Sequence, residues 1–434
     1  SKAIELNPNY AEAFMGRGLT QARLRELESA VEDLQTVMNL KPNKMEARIN
    51  LGLIYLELMQ YDKSIDIYQD ILRIEPFNPI AYGNLGVAYR ATRCLDQAID
   101  CYQKSLHIQP DSPGINTNLS FALLANGDFK NGWALHESRW QKTSAPRSFN
   151  KPLWLGSENI TEKTILLHAE QGYGDTIQFC RYVKMVEPLC RSVILLVQKP
   201  LVGLCQSLGS SIRVISEEPD LVEFDVHCPL MSLPFALGTL ETTIPATIPY
   251  LYADSAKRLF WENRLAEYKG LKVGLVWCGG YRRDQPETWG VNARRNLPLK
   301  KLESLLMQEV QFISLQKGEE AEAELHQLIK KEPNGLKVID WVGDLNDYTD
   351  TAALIENLDL IISVDTSVAH LSGALGKPVW ILNRFDSCWR WFVDRSESPW
   401  YPTVRIYNQR TPGDWDAVML DVKRDLQELV QMTK

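Results

Sequence analysis

Pro8, Pro42, Pro76 and Pro110 stand 34 residues apart, and three further registers keep the same period. They are Gly18, Gly52, Gly86 and then Ser120; Leu27, Tyr61, Leu95 and Phe129; and Ala30, Ser64, Ala98 and then Gly132. A single globular core has no reason to repeat at that interval. A stack of supersecondary units does, because each unit buries its apolar face only against its neighbours. Small residues at two registers mark the crossing of two antiparallel helices, and the proline marks the end of the second. The period therefore predicts an α-solenoid over residues 1–143. In the fourth unit Gly132 and Trp133 replace the small-apolar pair and Trp140 ends it, which reads as a cap facing the next domain. The opening SKAIELNPNY reads as the last turns of a helix begun upstream, so the natural chain is expected to extend further.

These four registers resemble the tetratricopeptide repeat. Asn50, Asn84 and Asn118 share one position in it, two residues before the Gly or Ser of each first helix; Gly16 stands there in the first unit. A column of amides on the helix that lines a solenoid groove can pair with the backbone of an extended peptide of any sequence. The array of protein O-GlcNAc transferases uses such a ladder, and the resemblance implies an acceptor polypeptide in the groove. The alternative is that asparagine is simply common at this position.

Residues 144–160 are rich in Pro, Ser and Asn without periodicity, which places a linker there. Beyond it the pattern changes to apolar runs followed by glycine turns and amphipathic helices, the signature of parallel α/β units. With a net charge of −8, nucleic acid is not expected as the main partner. No run approaches the ~18 apolar residues of a membrane span, and no signal peptide is visible. Eight scattered cysteines without a C-x-x-C pair or zinc spacing fit a reducing cytoplasm.

The stretch Asp359–Pro378 carries the strongest chemistry. Leu360–Val364 reads as a buried strand, Asp365-Thr366-Ser367 as a helix start, Val368, Leu371 and Leu375 as the helix face, and Gly376 as its end. The turn puts a carboxylate, hydroxyls and free backbone N–H groups at the carboxyl end of a sheet, where α/β folds bind ligands and phosphates. A plain reading makes Asp365 a cap and His370 a surface histidine. However, Asp365, Thr366, His370, Leu371, Ala374, Leu375, Gly376, Lys377, Pro378 and Val379 resemble the donor-binding signature of the heptosyltransferase-like glycosyltransferases of family 9. Ser367 departs from it where the family has glycine. The resemblance implies a GT-B fold of two Rossmann-like halves, 161–262 for the acceptor and 263–434 for a nucleotide sugar.

In the first half, Thr164–Ala169 predicts a strand ending in Glu170–Asp175, followed by a helix with Ile177, Cys180, Val183 and Val186 on one face. The resemblance makes Asp175 the candidate catalytic base, with Gly172 and Gly174 giving the backbone room; the alternative is an N-cap. His168 reads as structural. Further strands are expected at Val193–Val197, Ile212–Ile215 and Asp225–Cys228. In the second half, Leu271–Trp277 ends at Gly279 and Gly280, and Arg282, Arg283, Arg294 and Arg295 form a cationic group suited to diphosphate. A solvated loop is the alternative and holds for at least two of the four; Arg295 is the preferred ligand. Val310–Leu315 ends in Gln316 and Lys317, a cation placed to neutralise a departing nucleotide. Lys337–Trp341 runs into Asp344 and Leu345, where related enzymes hold the base. The tryptophans of Cys388–Trp391 and Trp400-Tyr401-Pro402 read as packing between domains rather than as a stacking platform. The last helix, Trp415–Met432, is expected to cross back to the first half.

Together these features predict a bacterial, cytoplasmic, metal-independent GT-B glycosyltransferase without a resident cofactor. It would bind a nucleotide sugar as donor substrate and glycosylate a protein that the repeats recruit. A transferase acting on lipopolysaccharide or another glycan, and a non-catalytic scaffold that binds a nucleotide sugar, are the alternatives. Oligomeric state is left open.

Overall fold

First helices begin at Ala11, Met45, Pro79 and Pro113, and second helices at Leu27, Tyr61, Leu95 and Phe129, so the helix starts repeat at the sequence period. The computed structural model describes residues 2–141, 149–216, 222–280, 289–331 and 338–432. Arg282, Arg283, Lys337 and the first part of the linker lie outside the described residues. The chain divides into two units: Ser1–Thr143 with Asp386–Trp389, and Ser144–Phe385 with Arg390–Lys434.

In the first unit, the small residues sit where the sequence places them, for a measurable reason. A Cβ on Gly52 would lie 2.6 Å from the Tyr68 ring, and one on Gly86 would lie 2.7 Å from the Tyr102 ring. Those two tyrosines are themselves 34 residues apart and wholly buried. Adjacent repeats are tied by a second periodic pair, Gln35 to Tyr55 (2.9 Å) and Gln69 to Tyr89 (3.1 Å). The turn between the two helices of each repeat needs a left-handed residue, which is Arg25, Met59, Arg93 and finally Gly127. In the fourth repeat Phe129 and Trp133 are buried and pack edge to face at 5.6 Å. Trp389, which belongs to this unit, meets Trp133 at 5.3 Å.

The second unit contains two sheets. β1 (Ile160–His168), β2 (Cys190–Leu196), β3 (Ile212–Ile215) and β4 (Val226–Pro229) form an all-parallel sheet in the order β3-β2-β1-β4. The helix Ser255–Leu265 then leads to the second sheet. Its strands are β5 (Leu271–Val276), β6 (Val310–Ser314), β7 (Val338–Ile339), β8 (Leu360–Val364), β9 (Val379–Asn383), β10 (Glu397–Ser398) and β11 (Tyr401–Asn408). Read from β7 the order is β7-β6-β5-β8-β9-β11, with β10 antiparallel at the edge. The chain walks outward one way from β5 and the other way from β8. The β5/β8 boundary is thus a topological switch point, where a crevice opens beyond the carboxyl ends of the strands. Strands such as β8, buried along their whole length, satisfy the demand of a sheet covered on both faces.

Two expectations are corrected here. The face of Ile177, Cys180, Val183 and Val186 is buried, but the helix breaks into Tyr173–Phe179, a 3-10 turn at Cys180–Tyr182, and Val183–Val186. The terminal helix Trp415–Met432 packs through Val418, Met419, Val422 and Leu426 onto the core of the second sheet, with Leu302, Phe312 and Leu382, rather than crossing back to the first.

Candidate active site

Between the carboxyl ends of the two sheets lies a cleft of about 680 Å³. The helix Ser367–Ala374, which follows β8, supplies its floor. Thr366 is the N-cap residue, with extended backbone, and its hydroxyl does not cap the helix but lies 3.1 Å from the Ser363 hydroxyl. The first N–H groups of the helix therefore face the cleft without a side-chain cap, where an anion is favoured. At its other end Gly376, at φ +75°, closes the helix with Gly376 N–H donating to Gly373 O and Lys377 N–H to Ser372 O.

Arg295 leans over β5 to donate to the Asp365 carbonyl (2.9 Å) and to Asn292 Oδ1 (2.5 Å). It can do so only because residue 279 is glycine: a Cβ there would lie 1.9 Å from Arg295 Nη2. Gly279 N–H is in turn held by Asn296 Oδ1 at 2.9 Å. Gln316 lines the cleft, but its amide is committed to backbone. It accepts from Trp277 and Cys278 N–H (3.1 and 2.9 Å) and donates to Lys317 O (2.9 Å), joining the ends of β5 and β6. Lys317 Nζ donates to the Leu345 carbonyl and closes one wall. Ser367 Oγ meets the Tyr348 hydroxyl at 2.7 Å, and burial pushes that hydroxyl up to about 12.

Asp365 and His370 differ from a surface cap and a surface histidine. His370 is 4 % exposed, stacked on Trp391 (5.2 Å between ring centres, 24° between planes) with Nδ1 at 2.9 Å from the Tyr401 hydroxyl. Burial pushes its imidazole down to about 4, against the pull of the Asp365 carboxylate 3.8 Å from Nε2. Burial acts on Asp365 in the opposite direction, but His370, Arg295 and the Trp391 indole outweigh it and hold the carboxyl below its ordinary value. At neutral pH the pair is an anion beside a neutral ring, so His370 offers a phosphate no countercharge. Trp391, Trp400 and Tyr401 are themselves fully buried under this helix and have no face to offer a ligand.

From the first sheet, the helix Tyr173–Phe179 meets the Ser367–Ala374 helix. Gly174 makes the approach: a Cβ there would stand 3.0 Å from His370 Cδ2 and 3.5 Å from Ser367 Cα. Asp175 lines the cleft and is both a cap and something more. Its Oδ2 accepts from Gly172 N–H (2.9 Å), and its Oδ1 pairs with Arg390. Tyr173 and Tyr348 face each other with ring centres 5.3 Å apart.

The structure thus brings Gly172, Gly174, Asp175, Gly279, Arg295, Gln316, Lys317, Leu345, Asp365, Thr366, Ser367 and His370 to one cleft. Asp344 is not among its lining. Its carboxylate turns to Arg264 (2.5 Å), whose guanidinium is parked on the Trp341 ring at 4.3 Å, so an exposed ion pair takes it instead. His168 lies elsewhere, against His227 (3.2 Å). Sequence reasoning missed Arg390, Tyr173 and Tyr348. No local spacing marks Arg390 or Tyr348, but Tyr173 lies between Gly172 and Gly174, both already singled out by their turn. In the other unit, Asn50, Asn84 and Asn118 occupy equivalent half-buried positions on successive first helices. Asn50 Nδ2 bonds back to Glu46 O (2.7 Å), so its amide has a partner within the array.

Family models of the tetratricopeptide repeat match residues 46–78 and 79–112. Residues 46–112 are tetratricopeptide repeats. The flanking helix pairs at Ala11–Leu40 and Pro113–His136 keep their spacing. Protein FlbA of Caulobacter vibrioides is 28% identical over 326 residues, which is 68% of this chain and 52% of FlbA, so the match spans about half of that relative's length. Similar solved structures include MamA from Desulfovibrio magneticus RS-1 (residues 41 to the end), 24% identical with a TM-score of 0.30, covering 32% of this chain and 78% of that one. Another is YrrB, described as a tetratricopeptide protein with an unusual peptide-binding site, 18% identical with a TM-score of 0.28, covering 32% of this chain and 73% of that one. Likenesses of that size carry no argument about what this chain binds. Among the described residues no helix is long and apolar enough to cross a membrane.

Proposed function

We propose that the second unit is a GT-B glycosyltransferase that transfers a sugar from a nucleotide sugar to a polypeptide acceptor recruited by the repeats. The observation that carries this reading is the cleft at the β5/β8 switch point, where an uncapped helix N-terminus, Arg295 and Lys317 converge opposite a carboxylate from the other sheet. A diphosphate fits the first three: a helix N-terminus favours an anion, and two fixed cations offset charge as it builds on the leaving oxygen. The base would lie along Leu315, Leu345 and Tyr348, and Asp365 would take a ribose or sugar hydroxyl. An acceptor hydroxyl would approach from the Gly172–Asp175 side. Its oxygen forms the new bond to the sugar's anomeric carbon, the bond to the diphosphate breaks, and Asp175 accepts the proton. The expected chemistry needs no metal at the site.

The test is calorimetry of the protein with UDP, GDP, ADP, CDP, dTDP and CMP, on the wild type and on Arg295→Ala. Binding of one nucleotide, weakened by the substitution, is the expected result; no binding by any of them overturns the reading. Release of that nucleotide from its sugar conjugate, dependent on an added polypeptide, then separates a transferase from a binding module. One observation favours the binding module: both oxygens of Asp175 are engaged.

A further inference from the structure

We propose that Arg390 is a latch that holds Asp175 out of use until an anionic donor enters the cleft. This rests on the glycosyltransferase reading and adds an order of events to it. Arg390 reaches Asp175 across 215 residues of sequence, pairs with Oδ1, and is steadied by Nε donating to Gln178 Oε1 at 2.7 Å. The two side chains are only 12 % and 21 % exposed, and both line the cleft. This is no solvated surface pair. Asp175 Oδ2 already accepts from Gly172 N–H. With one oxygen on a backbone donor and the other on a guanidinium, Asp175 meets an incoming hydroxyl only in competition with two donors already in place.

Release of one contact would open Asp175 to the hydroxyl. The Gly172 contact closes the first turn of the same short helix and is fixed by the backbone. Arg390 is a long side chain from a different segment, so it is the one that moves. What moves it is set by the charges around it. Arg295 is anchored on the Asp365 carbonyl and Asn292, and Lys317 on the Leu345 carbonyl, each with its own acceptor. Arg390 is paired with a carboxylate, so a diphosphate competes with Asp175 for it directly. A guanidinium binds phosphate and carboxylate in the same forked geometry, so Arg390 can exchange one for the other, leaving Asp175 its Gly172 contact. The donor would bind first, draw Arg390 onto its phosphate and free Asp175 for the acceptor. Without donor, the base stays closed.

The experiment uses the full chain and the nucleotide that binds the wild type. Arg390→Gln should weaken that nucleotide roughly ten- to a hundredfold, as loss of a charged hydrogen bond does. Carbodiimide labelling of Asp175 should rise in the wild type when that nucleotide is added, and should be high with or without nucleotide in Arg390→Gln. Arg390→Lys should recover part of the affinity, and free guanidinium ion should rescue Arg390→Gly. Thermal unfolding of each variant controls for the fold. If Arg390→Gln binds the nucleotide as the wild type does, and Asp175 labelling responds to nucleotide in neither protein, the latch is wrong and the glycosyltransferase reading stands. If the wild type binds none of the nucleotides, that reading fails, and the latch with it.

Discussion

Burial beneath Trp391 and beside Tyr401 pushes the His370 imidazole from an ordinary 6.5 down to about 4, which can be measured without knowing any ligand. The charges facing it are mixed: Asp365 and Asp175 favour the protonated ring, Arg390 and Arg181 oppose it, and desolvation decides. Between about 4 and 6.5 the unfolded chain binds a proton at this histidine that the folded chain does not. Stability therefore rises with pH through that window. The contribution is fully present above 6.5 and is lost as the pH falls toward 4. At about 1.4 kcal/mol per tenfold, the whole displacement corresponds to on the order of 3 kcal/mol, of which about 2 is gone by pH 5. The depressed Asp365 carboxyl adds nothing in this window, because it titrates below it. The assay is a proton NMR titration of the ring signals of all six histidines, with His370 assigned from the His370→Asn variant. His370 should remain neutral past pH 5. Calorimetric unfolding should show the wild type losing more stability than the variant between pH 7.5 and 5. A His370 midpoint near 6.5, or identical pH dependence in the two proteins, would refute the account of a dry, neutral ring under the cleft.

Gly279→Ala should leave the fold intact, since the added Cβ meets the movable end of Arg295, yet should weaken nucleotide binding about as much as Arg295→Ala does; the double variant should add little. Gly174→Ala presses the Tyr173–Phe179 helix a few tenths of an ångström off His370, and a loss of about 1–2 kcal/mol on calorimetry is expected. In the solenoid, Gly52→Ala drives a methyl into the Tyr68 ring and should cost about 1–3 kcal/mol, partly recovered by Tyr68→Leu. Met59→Gly relieves a left-handed residue at φ +57° and should stabilise the array by about 0.5–1 kcal/mol in denaturant titrations; a loss would mean the Met59 side chain contributes more than its backbone costs.

The solenoid was readable because its period is local. A tyrosine packing on a glycine one helix away writes both residues into one 34-residue window, and the window repeats. The left-handed turn was not readable, because Arg25, Met59 and Arg93 carry no glycine to announce it; only Gly127 does. The strand and helix after Asp359 were likewise legible, since apolar run, turn and closing glycine are neighbours in sequence. Direction was not. Nothing in Val342-Gly343-Asp344-Leu345 says that the carboxylate faces out, because Arg264, which captures it, lies on the helix between the sheets. Nor does the sequence say that His370 is dry, because the rings that cover it come from Trp391 and from β11.

Arg390 is the limiting case of that distinction. Its neighbours are aromatic, so its segment reads as packing, and Trp391 is wholly buried. A cation sunk between those rings, only 12 % exposed, is costly unless an anion meets it. That cost is itself a signal. A buried arginine calls for a carboxylate, and in a two-sheet unit the carboxylates at the strand ends are among those that can meet it. Asp175, in the first turn after β1, is one of these, and the unit is folded so that the two meet. The pairing that makes this aromatic segment tolerable is thus the same pairing that an entering anion would break.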